Sequence, residues 1–393
     1  MNNKASKIHY LDGIRGIAAA NVLLTHYIVA FFPALFTGNL YEVHINNNVE
    51  VFLAKSFLSI FYSGNLAVPI LFVLSAYVLS FRFFIYQDSK IATDSAYRRY
   101  PRLVFPVLFS VILSYLLMKF SLYYNNKIAT ITNSKWFLGE YYNFEPSFIG
   151  ALKQGLLECF TMGGNINYNP VLWTMNYEMI GSFTVFSFMA LFGKSQKRYI
   201  IYIIMLIVFV KSYYFSFILG MILSDFNYQN WGNKIKKHLQ NKQYYSWFLI
   251  FLGLVLGLYF NDNRNFFCRI LNIKILSDYG IDLFAFYHIL GATMVLLGCM
   301  YNSFIQKILS FKFILFLGRI AFSLYLIHFI IICSLGSYIF LCFYNMGINY
   351  FMSVAAVVVL TTPIILLCSY FMTIIIDEPV MKVVKKLQEK YFN

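Results

Sequence analysis

The chain has 393 residues, 60% of them hydrophobic and 12% charged, with a mean hydropathy of +0.65 and a net charge of +15. A soluble domain carries about a quarter charged residues, so the composition excludes an ordinary soluble enzyme. It also turns the positive charge from a nucleic-acid signal into one of membrane topology and lipid contact.

Apolar runs of bilayer length recur from end to end. They predict one all-α, polytopic membrane domain of about ten helices, at 11–33, 64–86, 103–121, 170–192, 199–210, 213–224, 245–260, 281–301, 313–344 and 350–376, followed by a short tail at 377–393. The first run has no small-residue cleavage site and reads as a retained signal-anchor span. The fifth and sixth are short enough to form a broken or re-entrant pair. With the N-terminus inside, the inside segments hold 19 of the 31 Lys and Arg and the outside segments hold 8. Both termini are therefore expected in the cytoplasm. The 122–169 connection becomes the largest external feature, with an interfacial amphipathic helix over 147–160. Six cysteines lack any CxxC pairing and read as inert thiols. No HExxH or Cys/His cluster has metal spacing, so no metal is expected.

Ionisable residues inside spans are costly and mark function or pairing. The first run holds Asp12, Arg15 and His26. At 100° per residue Arg15 and His26 fall within about 20° of each other, with Asp12 about 40° from His26, so the three share one stripe. Asp12 and Arg15 are also placed to pair with each other. Histidine exchanges its proton near neutral pH, which makes His26 a candidate acid/base. The second run ends in Phe72-Val73-Leu74-Ser75-Ala76-Tyr77, where small residues favour close helix packing.

The loop expected after that run carries Arg98, Arg99 and Arg102. They serve as topology anchors or, through the guanidinium fork, as phosphate ligands. Pro170 opens the fourth run and Trp173 is an interfacial anchor. Glu178 lies deeper, where a carboxylate either does chemistry or holds a neighbouring helix. The ninth run adds Arg319, Ser323, Tyr325 and a second histidine, His328. His288 is a weaker candidate, and His9, His44 and His238 read as loop residues.

Together these residues resemble the acyltransferase family three of integral membrane O-acyltransferases. Leu11-Asp12-Gly13-Ile14-Arg15-Gly16-Ile17-Ala18-Ala19 is similar to that family's opening signature, and Arg15 with His26 matches its Arg-x10-His pattern. Phe72 to Tyr77 resembles its FFVLSGF segment, with Ala76 where glycine is usual. Arg99-Tyr100-Pro101-Arg102 matches its RxxR element. Trp173-Thr174-Met175-Asn176-Tyr177-Glu178 looks like its W-[ST]-L-x-x-E element. Ser323 to His328 resembles its SLYLxH segment, and Asp377-Glu378-Pro379 its closing element.

The resemblance implies transfer of an acyl group, most often acetyl, from acyl-CoA to a hydroxyl of a glycan or its lipid-linked precursor, in the bacterial inner membrane. Acetyl-CoA is then a donor substrate, with no permanently bound cofactor. The partners are the donor, the glycan and membrane lipids, not nucleic acid, with homo-oligomerisation left open. Catalysis falls to His26, Glu178, Asp12 and Arg15. Donor phosphates fall to Arg99, Arg102 and Arg15, and acceptor binding to Trp173, Ser75, Tyr77 and His328. Ending 17 residues after its last run, the chain is expected to act without a fused esterase-like domain. The rival reading is a secondary transporter or flippase using the same intramembrane charges. It predicts inverted repeats, which the sequence does not display.

Overall fold

With no water to serve its amides, a membrane-buried backbone must satisfy itself, and an apolar run does so by coiling into a helix. In the computed structural model, which describes residues 8–228, 242–262 and 265–391, every regular element among the described residues is helical. The main helices are α1 (His9–Phe31), α2 (Ala67–Tyr86), α3 (Lys90–Lys119), α4 (Phe148–Leu156), α5 (Trp173–Leu191), α6 (Arg198–Phe209), α7 (Tyr214–Tyr228), α8 (Gln243–Leu256), α9 (Leu283–Tyr301), α10 (Lys312–Asn345) and α11 (Tyr350–Lys390). Each of the ten expected segments has a helix. Six of them, α1, α2, α3, α9, α10 and α11, are long and apolar enough to cross a membrane, and α6 and α8 are shorter apolar helices. Most of the basic stretch 225–244, including His238, lies outside the described residues.

Two boundaries differ from expectation. α3 begins at Lys90 rather than near 103, so Arg98, Arg99 and Arg102 stand on a helix and not in a loop. Its first three turns are polar, and hydropathy reads polar helix as loop. Pro101 and Pro106 are accommodated inside it. The expected tail is also helical, because a π turn over Thr373–Asp377 leads straight into helix Glu378–Tyr391. Pro379 follows that π turn, within the continuous helix.

The residues group into two compact units. One comprises Met1–Ala18, Gly64–Arg99 and Tyr177–Gly318, and the other Ala19–Ser63, Tyr100–Asn176 and Arg319–Asn393. In the first, α7 packs on α2 around Phe72, Phe217 and Ala76. The start of α1 crosses the start of α10 closely enough to require glycine. A Cβ on Gly16 would stand 2.5 Å from the Gly318 backbone nitrogen, and one on Gly318 would stand 2.2 Å from the Asp12 carbonyl oxygen. Such small-residue contacts let helices approach where lipid gives no hydrophobic push.

In the second unit, Tyr27 on α1 shares a hydrogen bond of 2.6 Å with Thr361 on α11, and Tyr350 donates to the Phe31 carbonyl. A π turn over Ile332–Gly336 in α10 leaves the Cys333 carbonyl able to accept from the Tyr124 amide at 3.1 Å, which ties the 122–169 connection to the bundle. Within that connection, α4 is capped by Ser147 and lays Gly155 against Leu108 of α3. Phe148, Ile149 and Leu156 are exposed on its other side, the amphipathic pattern expected of 147–160.

Candidate active site

The second unit contains a histidine pair. His26, on the sixth residue from the end of α1, places Nδ1 2.8 Å from Nε2 of His328 on α10. The ring centroids are 4.8 Å apart and tilted by 41°. His328 Nδ1 donates to the Leu324 carbonyl one turn back at 2.9 Å, so the helix backbone orients that ring. His328 is 1% exposed, whereas His26 as a residue is of intermediate exposure. Phe137, from the 122–169 connection, stacks on His26 at 5.7 Å, and Phe329 meets it edge-on at 5.6 Å. The site is thus a pair of imidazoles set among aromatic rings.

The helix turn that carries His328 is held by the run leading into α5. Asn169 donates to the Leu326 carbonyl at 2.9 Å and to Ser110 at 3.2 Å. Tyr325 donates to the Val171 carbonyl at 2.8 Å, and Thr174 donates to the Tyr325 hydroxyl at 3.1 Å. These buried bonds from the Asn169 amide and the Tyr325 and Thr174 hydroxyls fix the turn in one arrangement. Ser323, on the same stretch of α10, accepts from Thr373 at 2.9 Å, while Arg319 makes a two-pronged ion pair with Glu378 at 2.7 and 3.0 Å.

The first unit holds a separate polar cluster. Arg99, 7% exposed, is ion-paired with Glu178, and Ser75 donates to the same carboxylate at 2.9 Å. Arg99 also reaches Ser75 at 3.3 Å and the Glu178 carbonyl at 3.4 Å. Helices α2, α3 and α5 meet at this one charge pair, so Glu178 has the cation that a buried carboxylate needs. Nearby on α2, Tyr77 is buried and accepts from Asn227 at 3.4 Å, and Asn227 in turn accepts from Tyr301 at 2.6 Å. Asp12 and Arg15 pair at 3.0 Å, as their spacing allows, and remain partly exposed.

Sequence reasoning named His26, His328, Ser75, Arg99 and Glu178 without foreseeing how they pair. Two of these residues have neighbours in the structure that the sequence did not indicate. Arg99 was expected among loop arginines facing donor phosphates, but it is a buried partner of Glu178, and Arg102 is the exposed guanidinium of that element. His328 was expected to face the acceptor; buried as it is, its ring faces His26. Trp173 stands exposed at the head of α5. Phe137 and Asn169 were missed. Phe137 lies in a connection without periodicity, but Asn169 beside Pro170 at a helix entry was a readable sign of a structural amide.

Of the remaining histidines, His288 bonds the Phe284 carbonyl at 2.7 Å, and His44 stacks on Tyr350 at 4.2 Å with Nε2 3.3 Å from the Ile131 carbonyl. Beside His44, the Glu50 carboxylate accepts from the His44 and Ile45 amides at 3.1 and 3.0 Å, and burial pushes this carboxyl above its usual range. No three metal-ligating side chains converge among the described residues.

A family model of an acyltransferase domain, acyltransferase family 3, matches residues 8–370, nearly the whole chain. The chain belongs to this acyltransferase family. No curated protein and no solved structure matches it. Membership makes the chain a multi-pass membrane acyltransferase. The His26–His328 pair, the Asp12–Arg15 pair and the Arg99–Glu178–Ser75 cluster all fall within the matched residues.

Proposed function

We propose that this acyltransferase moves an acyl group, acetyl in the first instance, from acyl-CoA to a hydroxyl of a cell-surface glycan or its lipid-linked precursor, in the bacterial inner membrane. The observation that carries the reading is His26, an imidazole held by a buried histidine inside an acyltransferase-family bundle. An alcohol attacks a thioester well only if a base takes its proton, and imidazole is the side chain best matched to that task near neutral pH. His26 serves as that base or carries the acyl group itself, and both routes use the same ring.

In this reading the donor's phosphates lie at the cytoplasmic end against the exposed guanidinium of Arg102. Asp12 orients Arg15. The Arg99–Glu178–Ser75 cluster fastens three helices together. The aromatic surround from Phe137 and Phe329 limits water at His26, which protects the thioester from hydrolysis. Both termini lie in the cytoplasm, the 122–169 connection faces outward toward the glycan, and neighbouring lipids deliver a lipid-linked acceptor.

The test is membrane vesicles from cells making the chain, supplied with acyl-labelled acetyl-CoA. Label entering a glycan fraction, and released by mild base as an ester, supports the reading. Absence of label with acetyl-CoA and with longer acyl-CoA donors overturns it and returns the transporter alternative to the front.

A further inference from the structure

We infer that His328 is a positioning residue that locks His26 into one tautomer, with the proton on Nδ1 and the lone pair on Nε2. Nε2 of His26 is then the atom that takes the acceptor's proton. This rests on the acyl-transfer reading of His26, and it follows from counting hydrogens. Neutral imidazole has one N–H donor and one lone-pair acceptor. A backbone carbonyl can only accept, so the 2.9 Å contact from His328 Nδ1 to the Leu324 oxygen puts the His328 proton on Nδ1. His328 Nε2 is therefore a lone pair, and it points at His26 Nδ1, 2.8 Å away.

Two lone pairs at that distance would repel, so the hydrogen between the rings belongs to His26 Nδ1. The opposite assignment, with His328 Nε2 as donor, would leave a bare Nδ1 against the Leu324 oxygen. Every polar atom of His328 is thus committed, and it is buried. The remaining ring nitrogen of the pair is His26 Nε2, on a residue of intermediate exposure.

The step balances around that atom. The acceptor hydroxyl gives its proton to His26 Nε2 while its oxygen bonds to the thioester carbonyl carbon. The carbon–sulfur bond then breaks, and the departing thiolate takes the proton back from Nε2. Ester and free thiol are the products, and His26 returns to its starting tautomer. While His26 is an imidazolium, its Nδ1–H bond to the neutral His328 becomes charge-assisted. His328 supplies this stabilisation without bringing a second charge into an apolar bundle, where a carboxylate in its place would need a cation. If His26 carries the acyl group instead, the same Nε2 lone pair is the nucleophile.

The tautomer can be read without activity. In protein labelled at histidine with 13C and 15N and returned to lipid, ring nitrogen and carbon shifts report which nitrogen bears the proton. His26 is assigned by the signals lost in His26→Gln. The expected wild-type result is a lone pair on Nε2. His328→Leu, which removes the acceptor, should mix the tautomers. It should also lower kcat about 10–100-fold while leaving KM for acyl-CoA within about twofold. His328→Gln, whose Oε1 can stand where Nε2 stood, should restore a single tautomer and most of the rate.

A wild-type lone pair on Nδ1 overturns the inference. So does a His328→Leu protein with wild-type tautomer and kcat, or a His328→Gln protein as slow as His328→Leu. If His328→Leu does not accumulate, His328→Gln and the wild-type spectrum decide the matter. Should vesicles show no acyl transfer while the tautomer is as stated, the acyl-transfer reading fails and the geometric inference stands.

Discussion

Removing either partner of the Arg99–Glu178 pair strands the other in the interior of the bundle. The side chains are 7% and 15% exposed, so the survivor cannot escape to water. Breaking a buried pair from one side costs about 3–5 kcal/mol, whereas replacing both partners with apolar residues is close to neutral. Arg99→Met should lie at the upper end, because the Glu178 carboxylate would keep Ser75 as its donor but lose its cation. Glu178→Gln should lie lower, since Arg99 retains the Ser75 hydroxyl and the Glu178 carbonyl. In thermal unfolding monitored in one detergent, single variants should melt roughly 5–15 °C below wild type. Arg99→Met combined with Glu178→Leu should recover most of that loss. The coupling in this double-mutant cycle is the quantity of interest. Single variants as stable as wild type, or a double variant showing the sum of both losses, would refute the pairing argument.

Four residues elsewhere give further tests. Arg102→Ala should leave stability unchanged and raise KM for acyl-CoA by about tenfold or more, since a charge-assisted phosphate contact contributes about 1.5–3 kcal/mol; normal donor kinetics would make Arg102 a topology anchor only. Gly16→Ala should cost about 1–3 kcal/mol, because the new methyl would meet backbone of Gly318 and Ile314 that cannot yield. Gly150→Ala, where the methyl would meet only ordinary contacts at 3.5 Å, should be neutral or stabilising, and equal melting temperatures for the two variants would contradict the close crossing. Burial holds the Glu50 carboxyl above its unfolded value of 4.5 in the folded chain, so its contribution is full below that value and is lost as pH rises through the folded one. Glu50→Gln should therefore gain on wild type in melting temperature as pH rises from about 4 to 8, and a constant difference between the two proteins would contradict this.

Hydropathy made the ten helical segments legible, because membrane-length apolar runs have few alternatives to helix. It failed at α3, whose opening turns around Thr93, Asp94 and Arg98 are as polar as a loop and are helical for tertiary reasons. Helical spacing placed Asp12 and Arg15 within reach of each other, since their pairing is local. His26 and His328 lie 302 positions apart, and Arg99 and Glu178 lie 79 apart. Periodicity says which face such a residue occupies but not which helix faces it. For the same reason the carboxylate–guanidinium pair was read as two separate sites. Phe137 carried no signal at all, because the 122–169 connection is built from short helical pieces without a repeating pattern.

The central claim is that His26 acts at the chemical step of acyl transfer, and His26→Gln measures it most directly. Glutamine keeps a polar side chain of similar reach but cannot take a proton near neutral pH, and general acid–base catalysis contributes about 10²–10⁴-fold. In vesicles matched for protein level, transfer from labelled acyl-CoA should fall by that factor or more while binding of the donor stays at the wild-type value. Undiminished transfer by His26→Gln would contradict the account and remove His26 from the reaction.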